Sequence, residues 1–247
     1  MGSGLSQADA IVRLGMAPRF HLKEPIMANN YYDATGVLIL DHVTPVITAL
    51  FGAFNLDQTY PGNGEVYIAR ISETNDPQWD DVLEGLTDLA NALKCPLPAG
   101  YEVSIEGYLR NLAKHFQAED NEDLENLIQH HPFEDGADLA ALFLIATCFD
   151  DGHGLNAIKF ESAWHCSKPR LFEFGGEGIF ISREIVLYGA SSRALELGHD
   201  LHGALLQGSL DEAADRLALE TLNVLSGISD DAKRQALRQK LARKLLG

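Results

Sequence analysis

A shift of 112 residues lays one stretch of this chain on another without a gap. Gly64-Glu65 then falls on Gly176-Glu177, and Val82 to Leu93 falls on Ala194 to Leu205 with six identities in twelve positions. Ala49-Leu50-Phe51 recurs as Ala141-Leu142-Phe143 at a shift of 92, so the second copy carries an insertion between its helix and Gly176. An internal repeat constrains architecture before any motif is read. Two copies are too few for a solenoid. The expectation is therefore one α+β domain whose halves are related by a pseudo-twofold, each reading helix, strand or strands, helix. Two features run against a strict copy: Trp79 and Trp164 do not align, and the strand alternation slips by one.

Local signals divide the chain into an N-terminal helix and lead-in (1–36), a first unit (37–100), an acidic helical segment (101–134), a second unit with an extra hairpin (135–208) and a C-terminal helical pair (209–247). Ser6 caps a short helix to Leu14, and 16–36 is an extended lead-in. Gly36 to Leu40 reads as a short strand or a buried helix. Thr44-Pro45 opens a helix to about Asn55. Glu65 to Ile71 alternates as a half-buried strand. Asn75-Asp76-Pro77 opens a helix with Trp79, Val82, Leu83, Leu86, Leu89, Ala90 and Leu93 on one face. Pro96 to Gly100 is the seam between the copies. Helices over 103–117 and 121–130 are split by the acidic run Glu119 to Asp123. An apolar helix over 137–149 precedes strands at 156–163, 170–174 and 178–187, with Gly175-Gly176 as a tight hairpin. Ser191-Ser192 caps a helix over 193–206, Ser209 with Glu212 makes a capping box for 210–225, and Ser229 caps 230–246. In that last helix Ala232, Ala236, Leu237, Leu241 and Leu245 form an apolar stripe.

Charge narrows the function classes. The formal charge is −17. Residues 102–151 hold twelve acids and two bases, whereas 229–247 hold six bases and two acids. Such a body repels nucleic acid and anionic membrane and attracts basic surfaces. No apolar run reaches the length of a membrane span, and the stretch Ala137 to Phe149 carries Asp138. Three cysteines cannot build a disulfide framework and suit a reducing compartment, so the expected location is cytoplasmic. Met1-Gly2 with Ser6 fits the loose myristoylation pattern, but a start followed by small, flexible residues is the simpler account.

Chemical signals are sparse. Cys148, His153, His165 and Cys166 are the right types for zinc. Yet His165 and Cys166 are adjacent, and on a strand they face opposite ways. Glu196, His199 and His202 share one helix face, a geometry that metal sites in bundles use; a solvated polar face explains them more simply. Cys166 with His153 or His165, backed by Asp150 or Asp151, has the types of a nucleophile pair but none of the local context. Gly175-Gly176-Glu177-Gly178 bridges strands and carries an acid where a phosphate would sit.

These readings lead to a protein-interaction or accessory protein with no cofactor. In its sharpest form it mimics DNA and inhibits a basic nucleic-acid-binding partner. Glu119, Asp120, Glu122, Asp123, Glu125, Glu134 and Asp135 are the expected contacts, since closely spaced carboxylates imitate a phosphate field. One alternative is a metal-assisted or Cys/His-dependent enzyme using His153, His165, Cys166, His199 and His202, which requires their convergence in one pocket. The other is a self-assembling subunit that forms a homo-oligomer through its C-terminal helix.

Overall fold

A computed structural model describes residues 29–97, 103–168 and 170–246. The expected helix at 6–14, the myristoylation pattern and most of the seam at 96–100 lie outside them. Among the described residues, eight α-helices accompany one six-stranded, wholly antiparallel sheet. The strands are β1 (Asn30–Ile39), β2 (Asp57–Gly62), β3 (Glu65–Ile71), β4 (Ala157–Cys166), β5 (Phe174–Ser182) and β6 (Val186–Ala190), in the spatial order β2-β3-β1-β4-β5-β6.

Five helices follow the alternation of the strands onto one face. These are α1 (Pro45–Phe51), α2 (Trp79–Ala92), α3 (Ile105–His115), α4 (Glu122–His130) and α5 (Leu139–Cys148). Ala34 and Leu38 of β1, Val66 and Ile68 of β3, and Ile158 and Phe160 of β4 point into the core between sheet and helices. There they meet Ile47, Phe51, Trp79, Leu86, Leu109 and Leu142. The expected Thr44 cap forms, its hydroxyl accepting from the Ile47 amide at 3.5 Å, and Ser104, Asn121 and Asp138, for which no cap was read, cap α3, α4 and α5. Pro45 occupies the first turn of α1, whose Val46 amide donates to Asp151 at 3.1 Å. The acidic run separates α3 from α4.

Beyond β6 the chain leaves this core. α6 (Ser192–Leu206), α7 (Leu210–Ser226) and α8 (Asp231–Leu245) form an arm at the sheet edge. The turn between α7 and α8 ties the arm down: the Val186 amide donates to the Gly227 carbonyl at 2.8 Å, and the Ser229 amide to the Glu184 carbonyl at 2.9 Å. The expected C-terminal pair is present as α7 and α8, and the helix expected over 193–206 is α6, which joins them in the arm instead of packing in the core.

Several expectations need correction. The lead-in is strand from Asn30, and β2 went unread. Residues 170–173 of the expected 170–174 strand lie in the loop joining β4 to β5, Phe174 opens β5, and the expected strand over 178–187 is broken by a turn into β5 and β6. Gly175-Gly176 lies inside β5, not in a turn. Gly175 pairs with Trp164, and a Cβ there would come within 2.1 Å of the indole. The Ser209 hydroxyl makes no capping bond, and Asp230 rather than Ser229 caps α8. The duplication is not confirmed. The aligned helices α2 and α6 occupy unlike places, one in the core and one outside it. The inward residues Val66 and Ile68 of β3 align with the outward Gly178 and Phe180 of β5.

Candidate interaction surfaces

The seven acidic residues do not form one patch. Glu119, Asp120 and Glu122 are exposed at the corner between α3 and α4, with Asp123 and Glu125 half-buried on α4. Glu134 and Asp135 follow the other end of that nine-residue helix, about 13 Å away along its axis. Arg110 grips Glu125 at 2.9 Å and Gln129 donates to it at 2.6 Å. Arg110 first, then Gln129, hold the Glu125 carboxyl below its usual range. Glu119 and Glu125 border a cleft of about 420 Å³ between α3 and α4 that also contains Arg110 and Lys114. The corner is therefore acidic at its rim and mixed in its groove.

The histidines and cysteines are dispersed. His153 is 1% exposed and wholly used by the backbone, with Nε2 3.0 Å from the Ala146 carbonyl and Nδ1 accepting from the Leu155 amide at 2.7 Å. That fixes the Nε2–H tautomer and leaves no lone pair for a metal. Asp150 approaches His153 at 4.0 Å, yet the ten residues of β4 put Cys166 about 30 Å from that end of the strand. The Cys166–His153 nucleophile pair cannot assemble. His165 faces away from Cys166 and stacks on Tyr31, ring centroids 5.0 Å apart. Burial, then Asp123, push the Cys148 thiol up to about 11, so it stays protonated near neutrality. Glu196, His199 and His202 lie exposed on α6, far from the other candidates in the sequence and outside the core. Among the described residues, no three His, Cys, Asp or Glu side chains are placed to hold a metal ion.

Sequence reading missed a polar cluster on the inward face of the sheet. Arg70 of β3, Tyr32 of β1 and Tyr188 of β6 line a cavity of about 150 Å³ beside the start of α5, with Ser162 of β4 and Glu177 of β5 next to Tyr32 on the same face. The Tyr32 hydroxyl donates to Glu177 at 3.3 Å, and Arg70 pairs with Asp76 at 2.6 Å while lying 5.3 Å from the Tyr32 ring centre. Burial, then the charges of Asp138 and Glu177, push the Tyr188 hydroxyl up to about 12. Burial pushes the Tyr32 hydroxyl up, with nearby Ser162 pulling the other way, and the Oγ of Ser162, itself 6% exposed, has no hydrogen bond of proper geometry. The available signal was the alternation itself, which puts Arg70, Ser162 and Glu177 at inward positions.

The outward face of the sheet is bare. Val37, Tyr67, Phe180 and Leu187 line a trough of about 700 Å³, floored by small residues such as Gly178 and Gly189 and flanked by Arg193 and Val224 of the arm. One bare face is ordinary in an antiparallel sheet. Comparison with protein-family models, curated proteins and solved structures finds no match to this chain. No helix among the described residues is long and apolar enough to cross a membrane.

Proposed function

We propose that this chain is an acidic protein-interaction protein that engages a basic partner, in its sharpest form as a DNA mimic occupying a nucleic-acid-binding surface. One observation carries the reading: the segregation of charge. Residues 29–191 hold 26 acids against eight bases, whereas 192–247 hold eight of each. A field of one sign over a folded body steers basic partners and repels nucleic acid and anionic surfaces. The exposed corner of Glu119, Asp120 and Glu122, with Glu134 and Asp135 at the far end of α4, is the recognition edge. Glu125, already paired, contributes less than its position suggests. The cytoplasm suits the chain, since Cys95, Cys148 and Cys166 are all unpaired thiols.

The test is a charge reversal at exposed positions, Glu119→Lys, Asp120→Lys, Glu122→Lys and Glu134→Lys together. Purified chain and variant are presented to a basic DNA-binding protein at low and high salt, with duplex DNA as competitor. The expected result is binding that falls steeply with salt, is displaced by DNA and is lost in the variant. Equal binding by the variant overturns the reading.

A further inference from the structure

The C-terminal arm is built inside out. Arg193 of α6 pairs with Glu220 of α7, and Arg216 of α7 with Asp200 of α6, so ion pairs close the helical hairpin. Only Ala204 and Ala213 of the three helices are buried. Leu197, Leu201 and Leu225 are half-buried, but the other leucines of α6 and α7 face out: Leu206 is 74% exposed, and along α7 Leu210, Leu217 and Val224 are 71%, 52% and 45% exposed. The last three recur every seven residues and form one stripe. Helices of this length draw most of their stability from packing an apolar face, and these faces are left largely uncovered within the chain. An exposed apolar patch continuous over two helices marks an interaction site.

Charge decides the occupant. A basic partner has nothing to gain here, because 192–247 carry no net charge. Two copies meeting through their bodies would oppose two strongly acidic surfaces. Two copies meeting through their arms bring leucine-rich faces together with no net charge over each arm as a whole, and the six bases of α8 then stand opposite the acidic body across the contact. Val224 lies on both the stripe and the rim of the trough, so one continuous surface serves arm and sheet. We propose that this surface is the docking site for a second copy of the chain, in an isologous twofold dimer. It does not depend on the acidic corner.

The experiment is the molar mass of the full chain by light scattering coupled to size-exclusion chromatography, from low to high micromolar concentration. The wild type is expected as a dimer dissociating on dilution, and Leu210→Glu with Leu217→Glu as a monomer with unchanged far-ultraviolet circular dichroism. The two carboxylates should raise the dissociation constant at least about a hundredfold, through their charge and the loss of apolar contact. Both positions are exposed in the single chain, so the substitutions leave its fold intact. The milder Leu210→Ser, Leu217→Ser pair should weaken the dimer less, which separates interface loss from misfolding. A wild type that stays monomeric throughout, or a dimer unaffected by either pair, overturns the proposal. Neither variant touches the residues reversed in the basic-partner test, so failure of one reading leaves the other standing.

Discussion

His131 shows how one residue couples burial to pH. Its ring packs against Trp79 and Phe133, with centroids 5.0 and 4.5 Å away, and its Nδ1 accepts from the Phe133 amide at 2.9 Å. Burial holds its pKa below the ordinary histidine value, with Asp138 pulling weakly the other way. The unfolded chain therefore binds a proton that the folded chain resists. By linkage, stability is full above the unfolded pKa of about 6.5 and falls as pH drops below it, levelling once the folded pKa is passed. His131→Phe should flatten that part of the profile, read as the difference in urea midpoint between wild type and variant from neutral pH down to about pH 5. Parallel profiles would remove His131 from the account. Cys148 makes a second residue-scale prediction. With its thiol raised to about 11 it carries little thiolate at neutral pH, so iodoacetamide should modify it far more slowly in the native protein than in urea, as read by peptide mass spectrometry.

At the scale of elements, what was legible depended on whether local chemistry and tertiary role agreed. α4 was readable because Leu124, Leu127 and Ile128 repeat at helical spacing. α5 was readable from its apolar run. β2 was not, because Asp57–Gly62 is short, polar and ends in Pro-Gly, so it looks like the turn that follows it. Gly175-Gly176 misled for a different reason. A glycine pair reads as a turn, but here a side chain would collide with Trp164 across the strands, a contact no local pattern reveals. Gly85 has the same logic in a helix. It lies where α2 crosses α1, and a Cβ would come within 2.1 Å of the Ala49 carbonyl oxygen. Helix propensity favours alanine by about 1 kcal/mol, whereas overpacking costs roughly 1–3 kcal/mol and the obstruction is backbone. The collision should win. Gly85→Ala is expected to lower stability by about 1–2 kcal/mol in urea unfolding, and an increase would show that the helices can separate without loss.

At the scale of the whole molecule, charge balance was readable from residue order, but its partition between a packed body and an unpacked arm was not. The leucines of α6 and α7 repeat at helical spacing, which ordinarily signals a face turned to the core, and only tertiary placement shows most of them turned outward. The candidate site fared similarly. The acidic corner was named residue by residue, but the neutralisation of Glu125 and the distance to Glu134 belong to geometry. The same partition fixes the response to salt. Four Lys or Arg ion pairs link described residues of the body, each contributing at most about 1 kcal/mol at an exposed position. They are set against the mutual repulsion of 26 acids. Repulsion acts over the whole surface and is screened once the Debye length falls to about 10 Å near 0.1 M salt. Raising sodium chloride from about 0.02 M to 0.2 M should therefore raise the melting temperature, although it weakens the individual pairs. The Leu210→Glu, Leu217→Glu variant should show this rise in full, because the repulsion lies within one body. The wild type should rise less, because in the dimer salt also screens the attraction of the α8 bases for the other copy's acidic body. A fall in melting temperature with salt would mean that the ion pairs outweigh the repulsion. An identical rise in both proteins would mean that α8 stands farther from the other copy's acidic body than the screening length.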